Sequence, residues 1–256
     1  MAIKDLGITK YQGSMSPKEV IDGAIKTYEE TLCRSLDIGS LIARNEVAHK
    51  WIVTFGVYVI RETSCWRFVD IAKQAHMLGE ANSIAGARIL TRAAIETLST
   101  LVYSISKMEE VVSGKISFEE FCECINRVYM GSRIDKELPE TINVLTMVKN
   151  MEKKHQGILD IFEDLCETAH PSMIGLTDGY TKINREEYVT AFGNFWLEKY
   201  GHQHEQALLI CMEIFEKEYN EEWIEKFHAL EKWLVENDSD LEKRRKEKKD
   251  AGLKKK

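Results

Sequence analysis

One stretch, from about Asn82 to Lys107, limits the fold more than any other part of the chain. Apolar or small residues occupy most of its helical circumference, so a helix formed there has little polar surface to present to water. Such a helix belongs at the centre of a bundle. The chain also has only 3 prolines and 15 glycines, too few for a turn-rich β-sandwich or barrel. The sequence therefore predicts an all-α, multi-helix bundle in a single domain.

Apolar repeats and helix-start signals predict about seven to nine helices between residues 16 and 236. One long helix is predicted from about Ser40 to Leu78. Another is predicted after Asn184-Arg185-Glu186-Glu187, because asparagine followed by glutamates is typical of a helix N-terminus. We expect residues 1–15 to form a flexible N-terminus and residues 237–256 a basic, disordered tail.

Charge is distributed unevenly along the chain. The net charge is −7, but the last sixteen residues carry nine Lys or Arg and three Asp or Glu. The acidic remainder argues against a protein that binds nucleic acid over its whole surface. The basic tail keeps RNA, or an acidic protein partner, open as a partner.

The longest apolar run, Trp51 to Ile60, has ten residues and spans about 15 Å as a helix, half of a bilayer core. We therefore expect no membrane association. The six cysteines form no CxxC pair, and no signal peptide is evident, so the sequence predicts a soluble, cytoplasmic protein. No Walker or Rossmann glycine motif is present, and we predict no cofactor. A homodimer remains open.

Charged residues interrupt the central apolar helix at four-residue intervals. Arg88, Arg92 and Glu96 form one line along it. The line either faces solvent, with Arg92 and Glu96 as an ordinary ion pair, or Arg92 binds a phosphate or carboxylate while Glu96 orients it. His170 follows a later helix and precedes Pro171, which suits either a helix cap or an acid–base role.

Four segments of the chain resemble, in order, the motifs of a family of uncharacterised helical bacterial proteins. The family shows an ARxLxRxxxE helix, a GSR turn, an NVLT helix and a YDxLxExxHPxxxG segment. The resemblance covers about residues 40–185. The corresponding segments here are Ala87–Glu96, Gly131–Arg133, Ile142–Thr146, and Asp164–Pro171 with Gly175 and Tyr180. The chain departs from the pattern at Phe162, where a hydroxylated aromatic is expected, and at Ser172, where asparagine is expected.

The resemblance implies a shared site but no established activity. It implies that Arg92, Glu96, Arg133, Asn143 and His170 lie together. We take Arg92, Glu96 and His170 as candidate catalytic residues, and Arg88, Arg133 and Asn143 as candidate ligand-binding residues. Our first hypothesis is a cytoplasmic helical protein that binds an anionic ligand or partner in a polar cleft formed by these side chains. A role as an accessory of a defence or stress system rests on the resemblance alone.

A second pattern gives an alternative of a different class. Arg44-Asn45-Glu46-Val47-Ala48-His49 resembles the R-N-x-x-x-H signature of the HEPN ribonucleases. The resemblance implies a metal-independent ribonuclease, with Arg44 stabilising the phosphate and His49 acting as acid or base. In that family the motif lies on a late helix, whereas about 200 residues follow it here.

The third hypothesis is a di-iron carboxylate protein. The spacing Glu-x-x-His, which places two metal ligands on one helical face, occurs four times. Two of these pairs lie in highly charged, solvated segments. The other two pairs are therefore weaker evidence for a metal site. The ligand set would be Glu30, Glu46, His49, Glu96, Glu167 and His170.

Overall fold

The computed structural model describes residues 16–253, which form ten α-helices and one two-stranded antiparallel sheet. The expected all-α fold is confirmed, and the expected flexible N-terminus lies outside the described residues. The elements are α1 (Pro17–Thr31), α2 (Ile38–Arg44), α3 (Glu46–His49), α4 (Val53–Glu80), α5 (Ile84–Val112), α6 (Phe118–Met130), α7 (Val144–Glu152), α8 (Ile158–Ala169), β1 (Thr181–Asn184), β2 (Val189–Phe192), α9 (Trp196–Lys217) and α10 (Trp223–Leu253).

The helix predicted from Ser40 to Leu78 is three helices, α2, α3 and most of α4, which is one reason why the count exceeds nine. Side-chain caps produce the breaks. The Asp37 carboxylate accepts a hydrogen bond from the Gly39 amide at 2.9 Å and begins α2. Asn45 leaves helical geometry and accepts from the Ala48 amide at 3.0 Å, which begins α3.

The contacts group the chain into two compact units, each built from three segments. Among the described residues, the first unit comprises 16–32, Glu62–Tyr103 and Asn143–Tyr219. The second comprises Cys33–Arg61, Ser104–Ile142 and 220–253. Helices α4 and α5 contribute residues to both units.

Stacked aromatic rings lie in the core of the first unit. The Phe68 ring stacks on Phe215 with centroids 4.2 Å apart, and Tyr28 meets the same ring edge-on at 5.7 Å. The predicted central helix is buried as expected over Ala94, Ile95, Leu98 and Leu101, each fully enclosed. These contacts join α1, α4, α5 and α9 through apolar burial and aromatic packing.

Helix α10 corrects the prediction of a disordered tail from residue 237, because it continues to Leu253. Contacts within the second unit hold it. Leu241 is buried, the Trp51 indole N–H donates to Asp238 at 3.0 Å, and the Lys248 ammonium donates to Glu119 at 2.9 Å. Lysine, arginine and glutamate are also good helix formers, so the charged sequence does not oppose a helix.

The helix predicted after Asn184 is instead a hairpin of β1 and β2. The Asn184 side chain accepts hydrogen bonds from the amides of Glu186 and Glu187, as a helix cap would. Tyr188 then adopts a left-handed backbone, φ 56°, and the chain reverses direction. The same side-chain chemistry begins helices and turns, so the sequence signal was ambiguous.

Two thiols are strongly protected from ionisation. Burial raises the pKa of Cys122, in the second unit, to about 12, and that of Cys211, in the first unit, to about 12. No disulfide joins cysteines within residues 16–253. None of the helices in this range carries an apolar stretch that would span a bilayer.

Candidate functional site

Arg88, first in the charged line of α5, is buried and fully engaged. Its side chain is 1% exposed. The guanidinium donates from Nε to the Thr168 hydroxyl at 2.8 Å and from Nη2 to the Asp164 carboxylate at 2.5 Å. It also lies over the Tyr200 ring, 5.0 Å from its centroid. Arg88 therefore joins α5 to α8 and α9, and its charge is already neutralised by Asp164.

The Tyr200 ring beneath Arg88 leads to a second ion pair. Its hydroxyl donates to Asp178 at 2.8 Å, and the Lys199 ammonium donates to the other Asp178 oxygen at 2.8 Å. Burial and the Asp178 contact raise the pKa of Tyr200 to about 12, while Lys199 and Tyr200 lower the pKa of Asp178. The network anchors the turn before β1 to α9.

His204 of α9 is the most perturbed histidine of the first unit. It is 2% exposed, with Nδ1 3.4 Å from the Thr91 hydroxyl. Burial, together with the nearby charges of Arg88 and His76, lowers its pKa to about 4. The ring is therefore neutral in the folded chain near pH 7.

Arg92 and Glu96 form the ion pair predicted for them, with Arg92 Nη2 3.0 Å from Glu96 Oε1. Arg92 also donates from Nε to the Cys166 sulfur at 3.1 Å and lies over the Phe162 ring. Phe162 stands where the family pattern has a hydroxylated aromatic, and here its ring face contacts a cation. Both partners of the pair remain partly exposed.

Among the described residues, no hydrogen bond or ion pair joins His170 to Arg92 or Glu96. Arg88 contacts Asp164 and Thr168 whereas Arg92 contacts Phe162 and Cys166, so α5 and α8 run antiparallel. His170 lies one turn beyond Cys166 in one direction, and Glu96 lies one turn beyond Arg92 in the other. His170 is exposed and forms the C-cap of α8.

The rest of the HPxxxG motif closes the end of α8. The Ser172 hydroxyl donates to the Glu167 carbonyl at 2.9 Å and accepts from the Gly175 amide at 3.3 Å. A Cβ on Gly175 would lie only 2.0 Å from the His170 carbonyl oxygen. The glycine is thus required by the close backbone approach, and Ser172 makes a local hydrogen bond in the place of the expected asparagine.

Arg133 and Asn143, the other two residues that the resemblance implies, belong to different units. Arg133 is exposed and belongs to the second unit, where it follows Gly131. Asn143 is in the first unit, where its carbonyl oxygen accepts from the Leu145 amide at 2.9 Å and begins α7. Asn143 therefore serves as the N-cap of α7.

The di-iron ligand set is not assembled. Among residues 16–253 no group of three or more His, Cys, Asp or Glu side chains is arranged to hold a metal ion. Glu46 and His49 belong to the second unit, while Glu30, Glu96, Glu167 and His170 belong to the first. The Glu-x-x-His spacing was an insufficient guide because it says nothing about partners on other helices.

Arg44 and His49 of the R-N-x-x-x-H motif contact one carboxylate, that of Glu231 on α10. Arg44 Nη2 pairs with Oε2, and His49 Nε2 lies 2.8 Å from Oε1. The other imidazole nitrogen lies 3.1 Å from the Thr54 hydroxyl. Burial lowers the pKa of His49, against the opposing effect of Glu231. The imidazole is wholly buried, whereas Arg44 is about half exposed.

A cleft lined mainly by hydroxyl-bearing and charged residues, which the sequence did not reveal, lies beside Glu96. It encloses about 280 Å³ and is lined by Thr63, Ser64, Arg67, Glu96, Thr97, Thr100 and Val144, all in the first unit. We call it the Arg67 cleft. Arg67 Nε donates to the Thr97 hydroxyl at 3.1 Å, which fixes the plane of the guanidinium. No carboxylate among the described residues lies within ion-pair distance of Arg67.

Comparison with models of protein families, with curated proteins and with solved structures gave no match to this chain. The two resemblances therefore remain hypotheses, and function must be proposed from the geometry. A sequence signal for the Arg67 cleft does exist. Hydroxyl residues cluster on two otherwise apolar helices, at Thr63 and Ser64 of α4 and at Thr97, Ser99 and Thr100 of α5.

Proposed function

We propose that this helical protein binds a small anionic ligand in the Arg67 cleft. One observation carries the proposal. The terminal nitrogens of Arg67 have no acceptor among the described residues, although its Nε is fixed by Thr97. A planar guanidinium held in this way offers two parallel N–H donors to a phosphate or carboxylate.

The surroundings favour a ligand that carries hydroxyl groups as well as the anion. Thr97 and Thr100 donate their hydroxyl protons to backbone carbonyls of α5, so their oxygens act as acceptors. Arg92 neutralises the Glu96 carboxylate, which reduces its repulsion of an anion while leaving it able to accept. A phosphorylated polyol or nucleoside satisfies both requirements. Arg92 and Glu96 thus keep a place in the site, as residues at its edge.

The Arg67→Gln substitution is expected to weaken binding of the probe pyrophosphate by about 10-fold or more, because charge-assisted hydrogen bonds are lost. Isothermal titration calorimetry of the full chain measures it. Arg185→Gln removes an exposed arginine in the same unit, far along the chain from the cleft, and is expected to leave affinity unchanged. Equal affinities in the two variants, or no binding by the unsubstituted chain at about 1 mM probe, would contradict the proposal.

A second candidate function is metal-independent RNA cleavage at Arg44 and His49. The observation that favours it is the convergence of both side chains on the Glu231 carboxylate. A run rich in lysine and arginine begins on α10 at Lys243, twelve residues beyond Glu231 and about 18 Å along the helix, where its side chains could contact phosphates. Substrate would reach His49 only after its contact with Glu231 opens.

If this second function holds, the full chain cleaves a fluorogenic RNA in the presence of EDTA, and His49→Ala abolishes cleavage. His228→Ala changes an exposed histidine on α10 and should retain full activity. Thermal unfolding of each variant separates loss of activity from loss of fold. An unsubstituted chain that leaves the RNA intact eliminates this candidate.

A further inference from the structure

The β1–β2 hairpin exposes an unusual amount of apolar surface. Tyr188 is 96% exposed, Phe192 82% and Ile183 64%, and no residue of either strand is buried. The turn that precedes the hairpin adds Met173, which is 71% exposed. Scattered apolar residues are normal on a surface, but a run of them along one hairpin indicates a surface that is covered in use.

The hairpin is firmly attached to the first unit at its base. The Gly193 amide donates to the Tyr180 carbonyl at 3.0 Å, and the Phe195 amide donates to the Gly179 carbonyl at 2.9 Å. Lys182 pairs with Glu198 and lies over the Phe195 ring. An isolated two-stranded hairpin is only marginally stable in water. The contacts at the base do not reach the turn around Tyr188, and further contacts there would stabilise the hairpin.

The two edges of the hairpin differ in charge. Within the described residues the sheet has two strands, so each strand leaves one row of backbone donors and acceptors unpaired. Strand β1 carries Lys182, a residue that commonly protects an edge from pairing. Strand β2 reads Val-Thr-Ala-Phe and carries no charge. The β2 edge is therefore the one suited to accept another strand.

We propose that β2 pairs in an antiparallel manner with β2 of a second copy of this chain, forming a four-stranded sheet across a two-fold axis. An antiparallel edge is complementary to itself, so one uncharged strand supplies both sides of the interface. Placing the axis at Thr190 sets this residue opposite its own copy. Phe192 then lies beside Tyr188 of the second copy, which joins the two most exposed aromatic residues.

Tyr188 and Phe192 supply about half of the area that a standard dimer interface buries on each partner. Buried aromatic side chains contribute about 150–250 Å² each, so Tyr188 and Phe192 supply roughly 400 Å². A standard interface buries about 800 Å² on each partner. Ile183 shares the face of Phe192, because its neighbour two residues earlier, Thr181, is paired with Phe192. The backbone hydrogen bonds of β2 supplement this apolar burial.

Sedimentation equilibrium of the full chain should give twice the chain mass of 29.5 kDa. Phe192→Ser should raise the dimer dissociation constant by at least about 30-fold, because a central aromatic residue is removed. Ile134→Ser changes a side chain that is 93% exposed in the second unit, and it should leave the dimer unchanged.

A crosslinking experiment tests the register. Opposed residues of antiparallel strands lie about 4.5–5.5 Å apart at Cα, within the range of a disulfide. Thr190→Cys should give a disulfide-linked dimer on mild oxidation, above the background of the unsubstituted chain, whereas Thr181→Cys on β1 should not. The proposal is overturned by a monomer at all concentrations. A dimer insensitive to Phe192→Ser that lacks the Thr190→Cys crosslink also overturns it.

Discussion

Asp164→Ala is expected to lower the free energy of unfolding by about 3 kcal/mol, as measured by urea denaturation. The substitution leaves the Arg88 guanidinium buried without its carboxylate, and removal of one partner of a buried ion pair is strongly destabilising. The value lies at the lower end of the usual range because the Asp164 side chain is itself 44% exposed. Glu163→Ala, at the neighbouring exposed position of α8, should change stability by less than about 0.5 kcal/mol.

The double substitution Asp164→Ala with Arg88→Met separates the buried charge from the loss of packing. Methionine keeps most of the arginine stem but carries no charge, so the double variant should be more stable than Asp164→Ala alone. Such a result shows that the destabilisation arises from an unpaired guanidinium. If the two losses simply add, Arg88 contributes mainly through packing against Tyr200.

Acid is expected to destabilise the chain through His204. Its pKa is about 4 in the folded state and near 6.5 when unfolded, so between these values only the unfolded chain binds the proton. The contribution of His204 to the free energy of unfolding is therefore constant above about pH 6.5, and it falls as the pH drops towards 4. The full loss corresponds to about 3 kcal/mol.

The measurement compares unfolding free energies at several pH values for the unsubstituted chain, His204→Gln and His202→Gln. His204→Gln should reduce the slope between pH 6.5 and 4, whatever its effect on stability at neutral pH, and the remaining slope includes that of His49, whose pKa is also lowered. His202 is exposed two residues away, so its replacement should leave the slope unchanged. A slope in His204→Gln equal to that of the unsubstituted chain assigns the acid sensitivity to other groups.

Local patterns predicted those elements that local interactions determine. The capping boxes at Ser16 and Ser117 begin α1 and α6 as the sequence indicates, because each requires only residues three positions apart. The apolar circumference of α5 correctly predicted burial. Tyr188 shows the limit, since its left-handed backbone turns an apparent helix start into a hairpin.

The sites were less predictable, because they depend on which helices pack together. The line of charges on α5 was evident, but whether Arg88 faces solvent depends on Asp164, 76 residues later. Likewise, Glu231 joins Arg44 to His49 across more than 180 residues. No sequence motif includes Arg67. Its importance depends on the absence of a carboxylate around it among the described residues, and that is visible only in the folded structure.

The Cys211 thiol provides an internal record of transient opening. A thiol whose pKa is near 12 presents almost no thiolate at neutral pH, so an alkylating reagent reacts with a buried one chiefly when its surroundings open. Cys211 is fully buried in the first unit, whereas Cys122, in the second unit, is partly exposed and has a similar pKa. Mass spectrometry of the two labelled peptides over time would therefore compare the opening frequency around Cys211 with the labelling of a thiol that is accessible without opening, in the native chain and without any engineered probe.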